Sequence, residues 1–361
     1  MFRKVLYVLV FSLLWSCSST KTPTELRFIG EQIIAEDAMY KNTKVGGLSS
    51  IEYVDGKYYT ISDDKDKPIR FYEMELDYDS EKFSKATITD VITIENNTMG
   101  LDPESLRFDK TTNHFLWTSE GYIRKNIDPV VFEISKNGHA IRTHITPKIF
   151  QSKNNSKTNG TRRNGTFEGL SMSRNSKYYW IGMELPLKQD GEEPLLSKGN
   201  YPIRISKINK KTNQLAFQFA YQLDEIPKNS IPENKFVVNG CPEILEISKN
   251  RFLFIERAYA SGHKDGGNTV KIYLVDSSKA TNISNINSLK NTKYQPAKKK
   301  LLFNFESIRK KLTKGVVDNI EGITFGKTLA NGNRTIVVIS DNNFNKFSSQ
   351  LNQIIVLEVV Q

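Results

Sequence analysis

The sequence predicts an all-β protein folded as a β-propeller of four-stranded blades, and two observations carry that expectation. Short runs rich in β-branched and aromatic residues alternate polar with apolar positions and are separated by Gly, Asn, Asp and Lys turns. In phase with these runs, an acidic residue opens one and a second acid closes the next: Glu104 with Glu120, Glu168 with Glu184, Glu243 with Glu256, and Glu321 with Asp341. Gly46 stands in the opening place ahead of the closing Asp63-Asp64. The opening place recurs at intervals of 58 to 78 residues, and a feature repeated at such spacing marks a repeat architecture. A β-sandwich, or two β-domains with incidental acids at strand ends, is the competing topology; the common phase of the acids disfavours it.

Each interval has room for two strands beyond the acid-bearing pair. After Asp63 come Ile69-Arg-Phe-Tyr-Glu-Met and Ala86-Thr-Ile-Thr-Asp-Val-Ile-Thr-Ile, and after Glu120 come Val130-Val-Phe-Glu-Ile and Ile141-Arg-Thr-His-Ile. After Glu184 the runs are Ile203-Arg-Ile-Ser-Lys-Ile and Leu215-Ala-Phe-Gln-Phe-Ala-Tyr, and after Glu256 they are Val270-Lys-Ile-Tyr-Leu-Val and Lys300-Leu-Leu-Phe-Asn-Phe. Four strands per repeat is a propeller blade. The last repeat has only Gln353-Ile-Ile-Val-Leu-Glu-Val-Val after Asp341, one strand short, while Glu25-Leu-Arg-Phe-Ile-Gly-Glu-Gln-Ile-Ile precedes the first repeat. That spare N-terminal strand can complete the last blade and close the ring. The count is five blades, with room for a sixth in the long interval from Glu184 to Glu243.

Residues 25–361 form one expected domain, because no Pro/Ser-rich linker divides them. Ahead of them, Arg3 and Lys4 precede an apolar stretch from Val5 to Trp15 that is too short to span a bilayer comfortably. Leu14-Trp-Ser-Cys17 ends it in the manner of a bacterial lipobox, with Trp15 in place of the usual small residue. Residues 1–16 are therefore expected to be a signal peptide, Cys17 a lipidated residue, 17–24 a tether, and the protein a lipid-anchored one of the cell envelope, or a secreted one if Cys17 carries no lipid. The net charge of +11 comes from lysines scattered with Asn and Ser through turns, without a basic helix or an aromatic platform for bases, so nucleic acid is not an expected partner. A monomer is expected.

A propeller brings the inner strand ends of its blades to one mouth of a central channel. Asp63, Asp64, Glu104, Glu120, Glu168, Glu184, Glu243, Glu256, Glu321 and Asp341 would then form a ring of carboxylates. Such a ring either protonates or takes cations, and an all-oxygen site suits Ca²⁺ first and Mg²⁺ second. Zinc is disfavoured, since none of His114, His139, His144 and His263 is spaced as part of a ligand pair. Arg70, Arg162, Arg163 and Arg257 lie close by in sequence and suit an anionic substrate. The candidate catalytic set is Glu168, Glu243, Glu321, Arg257 and Arg70. No Gly-x-Ser-x-Gly elbow or P-loop is present, and Cys241, between Gly240 and Pro242, reads as structural. Capping acids that hold only a structural Ca²⁺ are the plainer alternative.

At these residues the chain resembles the phytase-like family described as having esterase-like activity of phytase. The resemblance rests on Val45-Gly-Gly-Leu-Ser-Ser-Ile, Tyr59-Thr-Ile-Ser-Asp-Asp64, Arg70-Phe-Tyr, Asp102-Pro-Glu-Ser-Leu, Phe167-Glu-Gly-Leu-Ser, Ile255-Glu-Arg257, Asp318-Asn-Ile-Glu-Gly-Ile and Ser340-Asp-Asn-Asn-Phe344. It runs from Leu26 to the C-terminus, with Ser105 where the family more often has Gly and Ile244 where it has a small residue. The resemblance implies an exported bacterial propeller with Ca²⁺ in its acidic face that hydrolyses a small anionic ester or phosphoester. A metal-dependent lactonase using Asn319, Asn342 and Asn343, or a non-enzymatic envelope propeller binding a sugar or protein, are the alternatives.

Overall fold

The computed structural model describes residues 22–65, 67–95, 101–345 and 350–360. Cys17 and the expected signal segment lie outside the described residues. Within them the chain makes five four-stranded antiparallel sheets, a two-stranded hairpin (Met39–Tyr40 with Thr43–Lys44), and only short 3-10 turns as helical structure. The blades are built from Glu52–Val54 through Phe83–Thr93, Pro103–Asp109 through Ala140–Thr143, Phe167–Met172 through Leu215–Gln222, and Val237–Ser248 through Lys298–Asn304. The fifth comprises Ile320–Phe325, Thr335–Ser340, Asn352–Val360 and the N-terminal Glu25–Ile34. Among the described residues there is no sixth blade: between Glu184 and Glu243 the extra length forms the loops flanking Pro202–Asn209 and Leu215–Gln222.

Ring closure follows from the strand the sequence left over. Glu25–Ile34 pairs antiparallel with Asn352–Val360, Leu26 opposite Val359 and Ile33 opposite Gln353, so the two ends of the chain share one blade. The first strands of successive blades touch in turn, the fifth returning to the first, and so line the channel. Alternation then sends one face of every sheet into the next blade. Tyr59, Ile61 and Phe71 pack on Leu106, Phe115 and Trp117, and Trp180 and Phe219 on Phe252 and Phe254. Ile255 packs with Ile320 and Ile336, and Val337 and Ile339 with Tyr58 and Tyr72. Leu116 and Val131 pack with Phe167 and Tyr179 across the remaining seam, so all five inter-blade seams are apolar, and burial there is the main force holding the ring.

Beneath the mouth one buried side chain joins all five blades. Arg107, only 1% exposed, donates from Nε to the Leu170 carbonyl (2.7 Å), from Nη1 to the Ile51 carbonyl (2.8 Å) and from Nη2 to the Ile323 carbonyl (3.0 Å). Its Nη2 also meets Glu243 Oε2 at 2.7 Å. Those partners come from the third, first, fifth and fourth blades, while Arg107 itself sits on the second. Glu243 is fully engaged in turn: Ser105 Oγ donates to Oε2 (2.6 Å), and the amides of Leu170 and Ile244 donate to Oε1 (2.8 and 3.0 Å). Ser105 therefore supplies one of the bonds that hold a buried carboxylate.

Removing one partner of a buried ion pair strands the other charge at a cost of about 3–5 kcal/mol. Arg107→Met should therefore lower the free energy of unfolding by about that amount in denaturant titrations, and Arg107→Met/Glu243→Gln should lose less than the sum of the two single changes. Additive losses would show that the five-blade contact is not coupled.

Candidate active site at the acidic mouth

A repeated backbone bond sets the height of the second acid in four blades. The amide of Asp63 donates to the Gly47 carbonyl (2.9 Å), that of Glu120 to Asp102 (3.0 Å), that of Glu184 to Thr166 (3.1 Å) and that of Asp341 to Asn319 (3.0 Å). Two residues after Asp102, Thr166 and Asn319 come Glu104, Glu168 and Glu321, each at a β-bulge in the innermost strand. A bulge bends a strand and re-aims the side chain it carries. Gly47 has φ +60°, and a Cβ there would lie 1.9 Å from Asp63 Oδ1, so glycine is what lets that carboxylate stand against the loop.

This register relocates three positions expected from sequence. The counterpart of Glu104 in the first blade is Ser49 and not Gly46, since Leu48 bridges Ser62 as Pro103 pairs with Ser119. In the fourth blade the bulge between Gly240 and Glu243 falls on Cys241-Pro242, so Cys241 occupies the place of Glu168 and Glu243 lies two residues deeper, on Arg107. By the same offset Ala258 occupies the place of Glu184 and Asp341. Glu256 accepts instead from Tyr221 Oη (2.6 Å), the Asp224 amide (3.0 Å) and Lys299 Nζ (2.6 Å), away from the mouth. Asp64 and Arg70 pair with each other at 3.0 Å, Arg70 also donating to the Lys44 carbonyl and to Tyr72 Oη, and neither lines the central cavity.

The remaining acids do meet. Asp63, Glu104, Glu120, Glu168, Glu184, Glu321 and Asp341 line one open cavity of about 1210 Å³, together with Asp102, Arg257 and Lys65. Asp102, Glu104 and Glu120 offer oxygens within 4.8 Å of one another. Asp102 Oδ1 and Asp63 Oδ1 are buried without a hydrogen-bond partner among the described residues, which is an acceptor surplus that a hard cation would satisfy. The sequence reading passed over Asp102 as a ligand, although it lies two residues before Glu104 in the quoted Asp102-Pro-Glu. It also passed over Lys65, whose ammonium pairs with Asp102.

The electrostatics follow from this crowding. Burial first, then the neighbouring carboxylates, pushes Glu104, Glu168 and Asp341 well above the ordinary range. The same causes, burial foremost, bring Asp63 and Glu120 to about 7. Glu321 reaches about 8 by burial, although Arg257 pulls it down. Arg257 donates from Nη2 to Glu184 (3.2 Å) and Glu321 (3.0 Å); burial disfavours its charge, but the surrounding carboxylates outweigh burial and hold it protonated. Gly240, opposite Arg257, makes this approach possible, since a Cβ there would lie 2.5 Å from Glu184 Cγ.

Comparison with known proteins gives the family. A family model described as "Phytase-like: Esterase-like activity of phytase" matches residues 43–344. The chain belongs to the phytase-like family. None of the curated proteins compared matches this sequence. Among solved structures this phytase-like propeller is similar to a thermostable family-43 glycoside hydrolase (9% identity, 86% of this chain and 88% of that one, TM-score 0.45). It is also similar to glutaminyl cyclase of Myxococcus xanthus (10%, 94% and 100%, 0.44) and to periplasmic gluconolactonase of Pseudomonas aeruginosa (8%, 88% and 90%, 0.36). At such identities and scores these likenesses carry nothing about activity.

Carboxyls with raised folded values bind protons more tightly in the native state than in the unfolded chain, whose values lie near 4. Their contribution to stability is complete below about pH 4 and is lost as pH climbs through the folded values near 7 to 8. In chelator, therefore, the melting temperature should fall between pH 5 and 8. Millimolar Ca²⁺ should raise it most at pH 8, where the ring is most charged. Melting curves that coincide with and without Ca²⁺ at pH 8 would contradict a cation site.

Proposed function

We propose that this protein is an exported, envelope-anchored hydrolase of a small anionic ester or phosphoester, with Ca²⁺ held in the acidic mouth. The observation that carries the reading is the convergence of carboxylates from four blades, two of them with unpartnered buried oxygens, on a cavity that is also lined by Arg162, Arg163 and Arg257. Asp102, Glu104 and Glu120 would hold the ion, with Asp63, Glu168, Glu184, Glu321 and Asp341 around it. Bound there, Ca²⁺ would neutralise the ring and polarise the substrate's ester oxygen. Arg257 is anchored on one side by Glu184 and Glu321, and its Nε is buried without a partner among the described residues, leaving a donor for an anionic oxygen. Glu168, which burial and then the carboxylates of Glu184 and Glu120 hold well above the ordinary range, is the carboxyl proposed to exchange a proton with an attacking water.

Anchoring is supported by the basic, apolar segment ending in Leu14-Trp-Ser-Cys17. Among the described residues no helix is long and apolar enough to cross a membrane. Cys17→Ser should move the protein from the membrane fraction to the soluble fraction; unchanged membrane association would exclude a lipid on that residue.

Purified protein assayed on phosphomonoesters, phytate, carboxylate esters and lactones should turn over at least one class with Ca²⁺ and lose it in chelator. Glu168→Gln should then lower kcat by about 100-fold or more with little loss of stability. Arg257→Lys, which keeps the charge and loses the planar fork, should chiefly raise KM. A Glu168→Gln protein that melts early yet keeps full specific activity would make the cation structural.

A further inference from the structure

The fourth blade breaks the acidic ring. Its counterparts of Glu168 and Glu184 are Cys241 and Ala258, and beside Arg257 it lines the cavity with Phe236, Val238 and Tyr259, while the hairpin beyond adds His263, Lys264 and Asn268 and no acid. Val238 pairs with Tyr259 and Gly240 with Arg257, so both pairs lie on one face of this sheet, two residues apart along the strands. That offset is roughly 7 Å. The apolar wall therefore stands beside Arg257 on the same face of the sheet.

Phe236 completes this wall and is 64% exposed, a large apolar surface left in water. Its ring centroid lies 6.0 Å from that of Tyr259, with the planes inclined at 42°. Its position is fixed from the backbone, not by burial. The Phe236 carbonyl accepts from the Ser261 amide (3.0 Å), and the preceding Lys235 amide donates to Ser230 Oγ (2.9 Å). Ile231, five residues earlier, donates its amide to the Ser261 carbonyl (2.8 Å), so the loop is tied at both ends to the strand that carries Arg257. An aromatic ring held exposed on a pinned loop, beside a second ring and at the edge of a charged cavity, can bind an apolar group without further ordering of the chain.

Building on the proposed hydrolase reading, we infer that the substrate is an aryl ester carrying an anionic group: the anion meets Arg257, and the aromatic leaving group packs against the wall that Phe236 and Tyr259 form on the fourth blade. Hydrolysis would then consume one water and release an aryl alcohol with the free acid, as 2-naphthyl phosphate would give 2-naphthol and inorganic phosphate. A highly charged ester without an apolar part would leave this wall bare.

The test is binding of 2-naphthyl phosphate and methyl phosphate to the Ca²⁺-loaded protein, read as Kd by calorimetry for a probe that is not turned over and as KM for one that is. The aryl probe should bind at least tenfold more tightly than the methyl one, and Phe236→Ala should shrink that ratio at least fivefold while the melting temperature holds, as befits an exposed side chain. A ratio near one in the unaltered protein, or a ratio that Phe236→Ala leaves intact, would overturn the inference. The two readings fail separately: Phe236-dependent selectivity in a protein that hydrolyses no ester would contradict only the hydrolase assignment. Hydrolysis of both probes with equal KM would contradict only the aryl subsite.

Discussion

Arg107 is the point on which the geometry of this propeller depends. One buried guanidinium binds carbonyls from three other blades and the carboxylate of a fourth. Apolar seams can hold neighbouring blades together, but they tolerate sliding, because dispersion and burial carry little direction. Short charge-assisted bonds from a rigid, planar donor do not. The five innermost strands are thereby fixed to a common centre, and the acids just above them are fixed with respect to one another. Glu243 offsets the arginine's charge, and burial holds its carboxyl up at about 7 against the pull of that arginine.

Above this neutralised floor the charge balance changes. Lys65 and Arg257 reach the carboxylate ring, but they are outnumbered, and oxygens of Asp63 and Asp102 stay unpartnered. The same protein therefore places an ion pair where nothing else can enter and an excess of negative charge where the cavity opens to solvent. The fourth blade departs from both patterns, giving an arginine and an apolar wall where its neighbours give acids. That asymmetry provides the mouth with one side for a cation and another for the remainder of a ligand.

The ring was legible in the sequence because it is written in periodic features: alternation within strands, acids in phase between blades, and a spare strand at the N-terminus that pairs where the fifth blade lacked one. Seven of the ten expected acids reach the mouth for the same reason. The two misplaced acids of the fourth blade, Glu243 and Glu256, share one cause. The bulge that carries Glu168 in the third blade carries Cys241-Pro242 in the fourth, leaving both acids two residues nearer the hairpin turn, and nothing in Glu243-Ile-Leu-Glu-Ile distinguishes it locally from Glu168-Gly-Leu-Ser-Met. Arg107 gave no signal either, since its role comes from four segments remote in sequence, and Asp64 resembles Asp63 until Arg70 is seen to claim it.

The division of the acids into a paired floor and a cation-seeking mouth can be tested directly by diffraction at the manganese absorption edge from crystals soaked in Mn²⁺, a hard ion that favours oxygen ligands. An anomalous peak should lie among Asp102, Glu104 and Glu120, with none near Glu243 or Glu256. A mouth without a peak, or a peak against Glu243 beside Arg107, would contradict the division.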